Sequence, residues 1–167
     1  GAIRRAGLVC SVVSAGSTPT AYNSHLVRGL TEMRPGTYVF NDRNTLGVGA
    51  CALDNCALRL IVTVVSNSVP GRAIVDGGSK TFCSDRWLSG EKTGFGLVVE
   101  RPELLFEAMS EEHGHLQVPP GSPTPQLGEK LTIIPNHVCA CVNMHGRLYY
   151  HRKGTVEGSW EVAARGM

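Results

Sequence analysis

Between residues 58 and 162, short apolar and β-branched runs recur at close spacing, each cut off by a turn signal, and this rhythm leaves the chain few folds to choose from. Runs that read as strands lie at 58–66, 72–76, 95–99, 104–109, 130–134, 137–144, 148–151 and 155–162. Asp76-Gly77-Gly78-Ser79, His145-Gly146 and Lys153-Gly154 supply turns between them, and Gly121-Ser122-Pro123-Thr124-Pro125 reads as a surface loop. Several strands at such spacing predict a mostly β fold built on an antiparallel sheet or barrel.

The upstream part has a different character. Leu8-Val9-Cys10-Ser11-Val12-Val13 is a continuous apolar run, the pattern of a strand buried on both faces as in a parallel sheet. Ser14-Ala15-Gly16-Ser17-Thr18-Pro19-Thr20 follows as a loop, and residues 21–26 read as a short helix. A glycine-containing loop with hydroxyls after a buried strand can hold a phosphate through backbone N–H groups and Ser or Thr side chains, although the same composition also makes ordinary turns. Pro35-Gly36 marks a turn before a strand at 38–40, and Gly36 would let backbone approach a ligand closely. Arg34 either pairs with an anion there or lies in solvent. Residues 45–56, rich in Gly, Ala and Leu, read as a short helix or irregular crossover.

The stretch with the most chemistry is Ile133-Ile134-Pro135-Asn136-His137-Val138-Cys139-Ala140-Cys141-Val142-Asn143. As a strand it would place His137, Cys139 and Cys141 on one face, with Val138, Ala140 and Val142 on the other. Residues two apart stand roughly 6.6–6.8 Å apart on a strand, so one ion can be reached from two of them, and from all three only with a bulge. A two-donor site leaves coordination positions open, as a catalytic rather than a structural zinc requires. The plain alternative is that the thiols pack as small hydrophobes and His137 is a core or rim histidine. His113 and His115, in Glu111-Glu112-His113-Gly114-His115, would share a face on a strand and make a second conceivable metal site; a polar loop explains them equally. Trp160 and Arg165 are read either as pocket residues or as core and surface.

Composition narrows the partners. Sixteen basic residues against 14 acidic ones, a net charge of +2, give no basic stripe for nucleic acid, and no apolar run is long enough for a membrane span. Six cysteines at this length and spacing do not form a disulfide scaffold, so reduced thiols in a cytoplasmic setting are expected. The opening Gly1-Ala2-Ile3-Arg4-Arg5-Ala6-Gly7 does not read as a natural start. The expectation is that the sequence begins partway through a longer protein.

Several segments, taken in order, resemble one family. They are Arg34-Pro35-Gly36-Thr37-Tyr38-Val39-Phe40-Asn41-Asp42, Val75-Asp76-Gly77-Gly78-Ser79-Lys80, Glu111-Glu112-His113-Gly114, Ile133 to Cys139, Gly146-Arg147-Leu148 and Trp160 to Gly166. Together they look like the C-terminal portion of the D-serine dehydratase and D-threonine aldolase family, of the alanine-racemase-like fold type of pyridoxal phosphate (PLP) enzymes. The resemblance implies the last strands of a PLP-binding β/α barrel over 1–44 and a D-serine dehydratase-like antiparallel β-domain over 45–167. It implies that His137 and Cys139 hold a divalent metal, zinc or another such as manganese. It also implies that Ser17, Thr18, Gly36, Thr37 and Tyr38 face the PLP phosphate, and that Arg34 sits near the pyridine nitrogen. The family's Schiff-base lysine belongs to an earlier segment; of Lys80, Lys92, Lys130 and Lys153, none stands in that motif.

The activity implied by the resemblance is that of a PLP- and metal-dependent lyase acting on a small D-3-hydroxy amino acid, with dehydratase chemistry favoured over aldolase cleavage by Cys139. A homodimer is implied for the full-length enzyme. This chain alone would lack activity for want of the lysine. The competing expectation is a catalytically silent metal-binding or dimerisation β-domain. An alanine-racemase-like reaction is a third, which predicts no metal on His137 and Cys139. If strands at 8–13 and 37–40 were left without neighbours, their edges would promote aggregation; size-exclusion chromatography should then show self-association, and a monodisperse monomer would count against a fragment.

Overall fold

The computed structural model describes residues 1–87 and 94–166. Its centre is a closed barrel of six strands, in which every neighbouring pair is antiparallel. In chain order the elements are α1 (Ala2–Arg5), β1 (Ser14–Ala15), α2 (Ala21–Ser24), β2 (Glu32–Met33), α3 (Arg43–Gly47), β3 (Leu60–Ser66), β4 (Arg72–Val75), α4 (Ser79–Phe82), β5 (Gly96–Val98), β6 (Leu105–Met109), β7 (Gly114–Gln117), β8 (Lys130–Pro135), α5 (Val138–Met144), β9 (Arg147–Arg152) and β10 (Thr155–Glu161). The barrel order is β3-β4-β7-β6-β5-β8, with β8 closing onto β3 through pairs from Leu60–Ile133 to Thr63–Lys130. Closure leaves no open edge in this sheet, which removes the hazard of unpaired backbone groups. The expectation of a mostly β fold on an antiparallel barrel agrees with this.

Alternation explains the core. Val62 and Val64 of β3, Ala73 and Val75 of β4, Val98 of β5, Phe106 of β6, Leu116 of β7, and Leu131 and Ile133 of β8 are buried together, two residues apart wherever a strand supplies two. Phe106 is central: its ring meets Phe82 edge-on at 5.1 Å between centroids and Phe95 at 5.9 Å. Gly114 opens β7 because a Cβ there would stand 2.7 Å from the Phe106 ring and from the Gly77 carbonyl oxygen. That close approach makes 114 a turn-and-strand boundary. His113 therefore lies in the turn, its carbonyl accepting from Ser110 N at 2.9 Å, while His115 is in β7, so the two imidazoles do not share a strand face.

Two expectations for the upstream part are corrected. Residues 8–13 are not a buried strand: the parallel pair β1–β2 spans only Ser14↔Glu32 and Ala15↔Met33, and Val9 is 95% exposed. A doubly buried strand needs neighbours along its whole length, and here one two-residue strand is all that pairs. Residues 37–39 form a 3-10 turn, not a strand, closed by Phe40 N donating to the Thr37 carbonyl at 3.1 Å. Tyr38 and Val39 are exposed. The short helix expected near 21–26 is present as α2, and 45–56 is irregular apart from the end of α3 and one 3-10 turn.

The third correction concerns residues 137–144, which fold as a helix from Val138 and not as a strand. At the C-terminal end β9 and β10 form the expected hairpin, with Lys153 at φ 48° and Gly154 at φ 83° in the turn. Trp160 is not core; it stacks on Tyr150 at 4.6 Å on an exposed face. No helix among the described residues is long and apolar enough to cross a membrane. Phe106→Ala should cost about 3–5 kcal/mol of stability, read from the midpoint of a urea unfolding curve.

Candidate metal and cofactor site

The site grows from one buried carboxylate. Asp42 precedes α3 with extended backbone, and its Oδ1 accepts from Thr45 N at 2.9 Å while Thr45 Oγ1 accepts from Asp42 N at 2.8 Å, a reciprocal cap. Its other oxygen, Oδ2, accepts from Val138 N at 3.0 Å and so satisfies a free amide at the start of α5. His137, the residue before α5, contributes no side-chain cap of its own. Asp42 does that work across 96 residues of sequence.

Asn136 anchors the same junction from the other side. Its amide nitrogen donates to the Asp85 carbonyl at 2.8 Å and to the Gly94 carbonyl at 2.6 Å, and its backbone carbonyl accepts from Asn44 N at 3.3 Å. Arg43 donates to the Gly96 carbonyl at 3.0 Å and lies over the Trp87 ring at 5.0 Å. Burial pulls the Arg43 pKa down, yet a guanidinium stays charged. The Trp87 ring packs so closely on Gly47 that no Cβ fits there.

The turn of α5 then sorts the three proposed donors. Helical residues two apart point about 200° away from each other, so Cys139 and Cys141 cannot share a face as they would on a strand. Cys141 is buried and donates to the Thr81 carbonyl at 3.2 Å; burial, with a lesser push from Cys83, raises its thiol to about 12. Cys139 is exposed, and its sulfur lies 3.8 Å from Thr37 Oγ1. His137 is half-exposed, with Nδ1 3.3 Å from Asp85 Oδ2. It borders a cleft of about 640 Å³ lined also by Asn44, Val48, Ser84, Asp85, Arg86 and Trp87.

The two segments that carry the expected phosphate residues are joined by one hydrogen bond. Thr18 Oγ1 is buried and accepts from Tyr38 N at 3.1 Å, tying the loop at 16–20 to the turn at 36–39. That bond uses the Tyr38 amide, which is therefore not free for a phosphate. Ser17 and Gly36 are exposed and Thr37 is half-buried. Arg34 Nη1 donates to Ser14 Oγ, and that hydroxyl meets the Glu32 carboxylate. Thr37 is the link between patch and helix, since it touches Cys139.

These donors suit the groups in question. A borderline-soft divalent ion takes imidazole and thiolate ligands, and His137 and Cys139 are the imidazole and thiol open to solvent at this junction. Among the described residues no three His, Cys, Asp or Glu side chains cluster as a complete metal cage. Hydroxyls, amides and a guanidinium in the patch suit an anion. Lys80 pairs with Glu112 at 2.6 Å on the surface, and Lys92 lies outside the described residues. Asp42, Arg43, Asp85 and Asn136 were not singled out from sequence as site residues; only Asp42 carries a legible signal, the Asp-x-x-Thr of a helix start.

Comparison with known proteins places this arrangement. Residues 57–151 match the family model described as a putative serine dehydratase domain. D-threonine aldolase from Arthrobacter is 34% identical over 98% of this chain and 42% of that protein. D-threo-3-hydroxyaspartate dehydratase from Delftia is 38% identical over 83% of this chain and 40% of that protein, and its solved structure aligns at TM-score 0.79 and 34% identity, covering 96% of this chain and 46% of the other. An uncharacterised protein of Mycobacterium tuberculosis is 37% identical over 77% of this chain and 98% of its own length. The fold and site thus define a β-barrel domain of a dehydratase and aldolase lineage. The chain belongs to the D-serine dehydratase-like domain family, in its C-terminal portion, and spans about two fifths of the length of the aldolase and the dehydratase.

Two outcomes test the site's construction. Asp42→Asn, which exchanges one accepting oxygen for a donor against Thr45 N or Val138 N, should destabilise the fold by about 1–3 kcal/mol in urea titration. Thiol alkylation of the native protein at mildly alkaline pH should label Cys139 and spare Cys56 and Cys141, whose thiols burial raises to about 12, so that both stay protonated. Peptide mass spectrometry reads the pattern, and denaturation should release all six cysteines.

Proposed function

We propose that this chain is the metal-holding C-terminal portion of a PLP- and divalent-metal-dependent lyase acting on D-3-hydroxy amino acids, with dehydration favoured over Cα–Cβ cleavage. The observation that supports the reading is the 3.8 Å approach of Cys139 Sγ to Thr37 Oγ1, one residue of the proposed metal pair against one of the proposed phosphate residues. The kinship supports it: one relative is named a D-threo-3-hydroxyaspartate dehydratase and another a D-threonine aldolase. A cysteine-to-alanine variant of that dehydratase, solved in a metal-free form, aligns at TM-score 0.77 and 33% identity over 96% of this chain.

When bound, PLP supplies an electron sink at the substrate α-carbon, and the metal supplies Lewis-acid stabilisation of charge on the β-oxygen. His137 and Cys139 would hold the metal; two protein donors leave positions open to water and substrate. Ser17, Gly36 and Thr37 would hold the phosphate. Thr18 and Tyr38 shape that loop through their mutual hydrogen bond, and Arg34 sits at its edge. Because the chain covers about two fifths of these relatives, the lysine that carries PLP is expected from a segment outside this sequence, and the working enzyme is proposed to be a cytoplasmic homodimer.

A second reading is favoured by one observation. The mycobacterial relative is matched over 98% of its own length, so a sequence of this kind also occurs as nearly a whole protein. In that reading the chain is a metal-binding or dimerisation domain without catalysis of its own. Elemental analysis after dialysis against a weak chelator decides the shared part: about one zinc or manganese per chain is expected, lost in a His137→Ala, Cys139→Ala double variant. Absence of metal from the native protein would sink the metal reading of His137 and Cys139 and leave only the dimerisation form of the second reading. Turnover of D-threo-3-hydroxyaspartate on adding PLP and a lysine-bearing barrel segment would separate the first from the second.

A further inference from the structure

Away from the metal and cofactor residues, two free thiols face each other: Cys51 Sγ and Cys56 Sγ stand 4.0 Å apart, five positions from one another in sequence. We propose that these two form a redox site, in which a hydroperoxide oxidises the pair to a disulfide and Cys51 takes the oxidant. The inference stands whether or not His137 and Cys139 hold a metal.

The backbone holds the pair in place before any oxidant arrives. Between the two thiols lies the 3-10 turn Leu53–Asn55, in which Ala52 N donates to Asn55 Oδ1 at 3.0 Å and Cys56 N to the Leu53 carbonyl at 3.1 Å. Both flanks are tied down, since Ala50 N donates to the Thr45 carbonyl at 2.9 Å and Ala57 N to the Phe40 carbonyl at 2.7 Å. The sulfurs also face the same way. Cys51 Sγ lies 3.6 Å from Thr45 Oγ1 and Cys56 Sγ 3.8 Å from the Asp42 carbonyl oxygen, so both are turned towards the start of α3. A disulfide sets its sulfurs about 2.0 Å apart, and closure from 4.0 Å therefore takes roughly 2 Å of movement, within the reach of side-chain torsions.

The pair is asymmetric. Cys51 is half-buried, whereas Cys56 is fully buried, and burial, with an added push from Cys51, raises the Cys56 thiol to about 12. Cys51 is the sulfur that a small oxidant meets, and Cys56 the one that resolves the product. In the first step the Cys51 sulfur attacks one oxygen of the hydroperoxide and the O–O bond breaks. Cys51 becomes a sulfenic acid, and the other oxygen leaves as water or an alcohol with the Cys51 proton. In the second step the Cys56 sulfur attacks the Cys51 sulfur. The S–S bond forms as the S–O bond breaks, and the hydroxyl departs with the Cys56 proton as water. Two thiols together lose two electrons, and one hydroperoxide gains them.

The experiment uses the whole chain, reduced and kept in chelator. Trypsin cuts after Arg43 and Arg59, so a single peptide, 44–59, carries Cys51 and Cys56 and no other cysteine. The native protein is treated with hydrogen peroxide at mildly alkaline pH, then denatured, alkylated and digested without reduction. Mass spectrometry is expected to find peptide 44–59 lighter by two hydrogens, with neither thiol alkylated, and dithiothreitol should restore both. Cys51→Ser should leave Cys56 a free thiol after the same treatment. Cys56→Ser should stop Cys51 at the sulfenic acid, which dimedone traps. Peptide 44–59 with both thiols alkylated, in a sample whose exposed Cys139 has been oxidised, would overturn the proposal, and this wild-type map needs no variant to fold. A disulfide from Cys51 to another cysteine, or Cys51 carried on to the sulfinic acid beside an alkylated Cys56, would overturn it as well. Oxidation of Cys56 in Cys51→Ser would overturn the assignment of Cys51 as the point of attack.

Discussion

A single buried carboxylate holds the two halves of the site together. Asp42 spends one oxygen on the start of α3 and the other on the start of α5, 96 residues later. A carboxylate hidden from water is costly unless its lone pairs are met, and here both oxygens accept backbone N–H groups. The charge also suits two helix N-termini, where amide dipoles point towards it. The first turn of α5 is thereby registered against residues 42–45, and His137 and Cys139 are carried with it.

That register divides the chemistry of the thiols. The 100° step of an α-helix sends Cys141 inward, where burial keeps it a neutral thiol, and leaves Cys139 at the surface beside Thr37. One becomes packing and the other stays exposed. His137, at the start of the same helix, borders an open cleft. Asn136 completes the frame, because it ties the Asp85–Trp87 side of that cleft to β8's end.

The barrel supplies the rigidity on which this junction stands. Its six strands leave no edge, its interior is filled by alternate residues around Phe106, and α4 and α5 pack against each other at its margin. The upstream segment is built differently. Leu8, Val9, Val12, Tyr38 and Val39 are exposed together with a two-residue parallel pair, an apolar surface that contrasts with the satisfied barrel.

Much of the barrel was legible because β-strand burial follows a period of two that local sequence displays: Val62 and Val64, Ala73 and Val75, Leu131 and Ile133 all announce their faces. The family motifs were equally legible as residue types in order along the chain. What sequence misjudged were the segments whose state depends on distant partners. His-x-Cys-x-Cys alternates like a strand, yet it folds as a helix because Asp42 caps Val138 from the far end of the chain. The apolar run at 8–13 reads as a buried strand, yet burial requires neighbours that local pattern does not contain. Sequence by itself determined the β-rich character, since that resides in side-chain type and period. Only tertiary structure decided which thiol faces solvent, which carboxylate faces His137 and which loops meet, because those are hydrogen bonds and contacts between residues tens of positions apart.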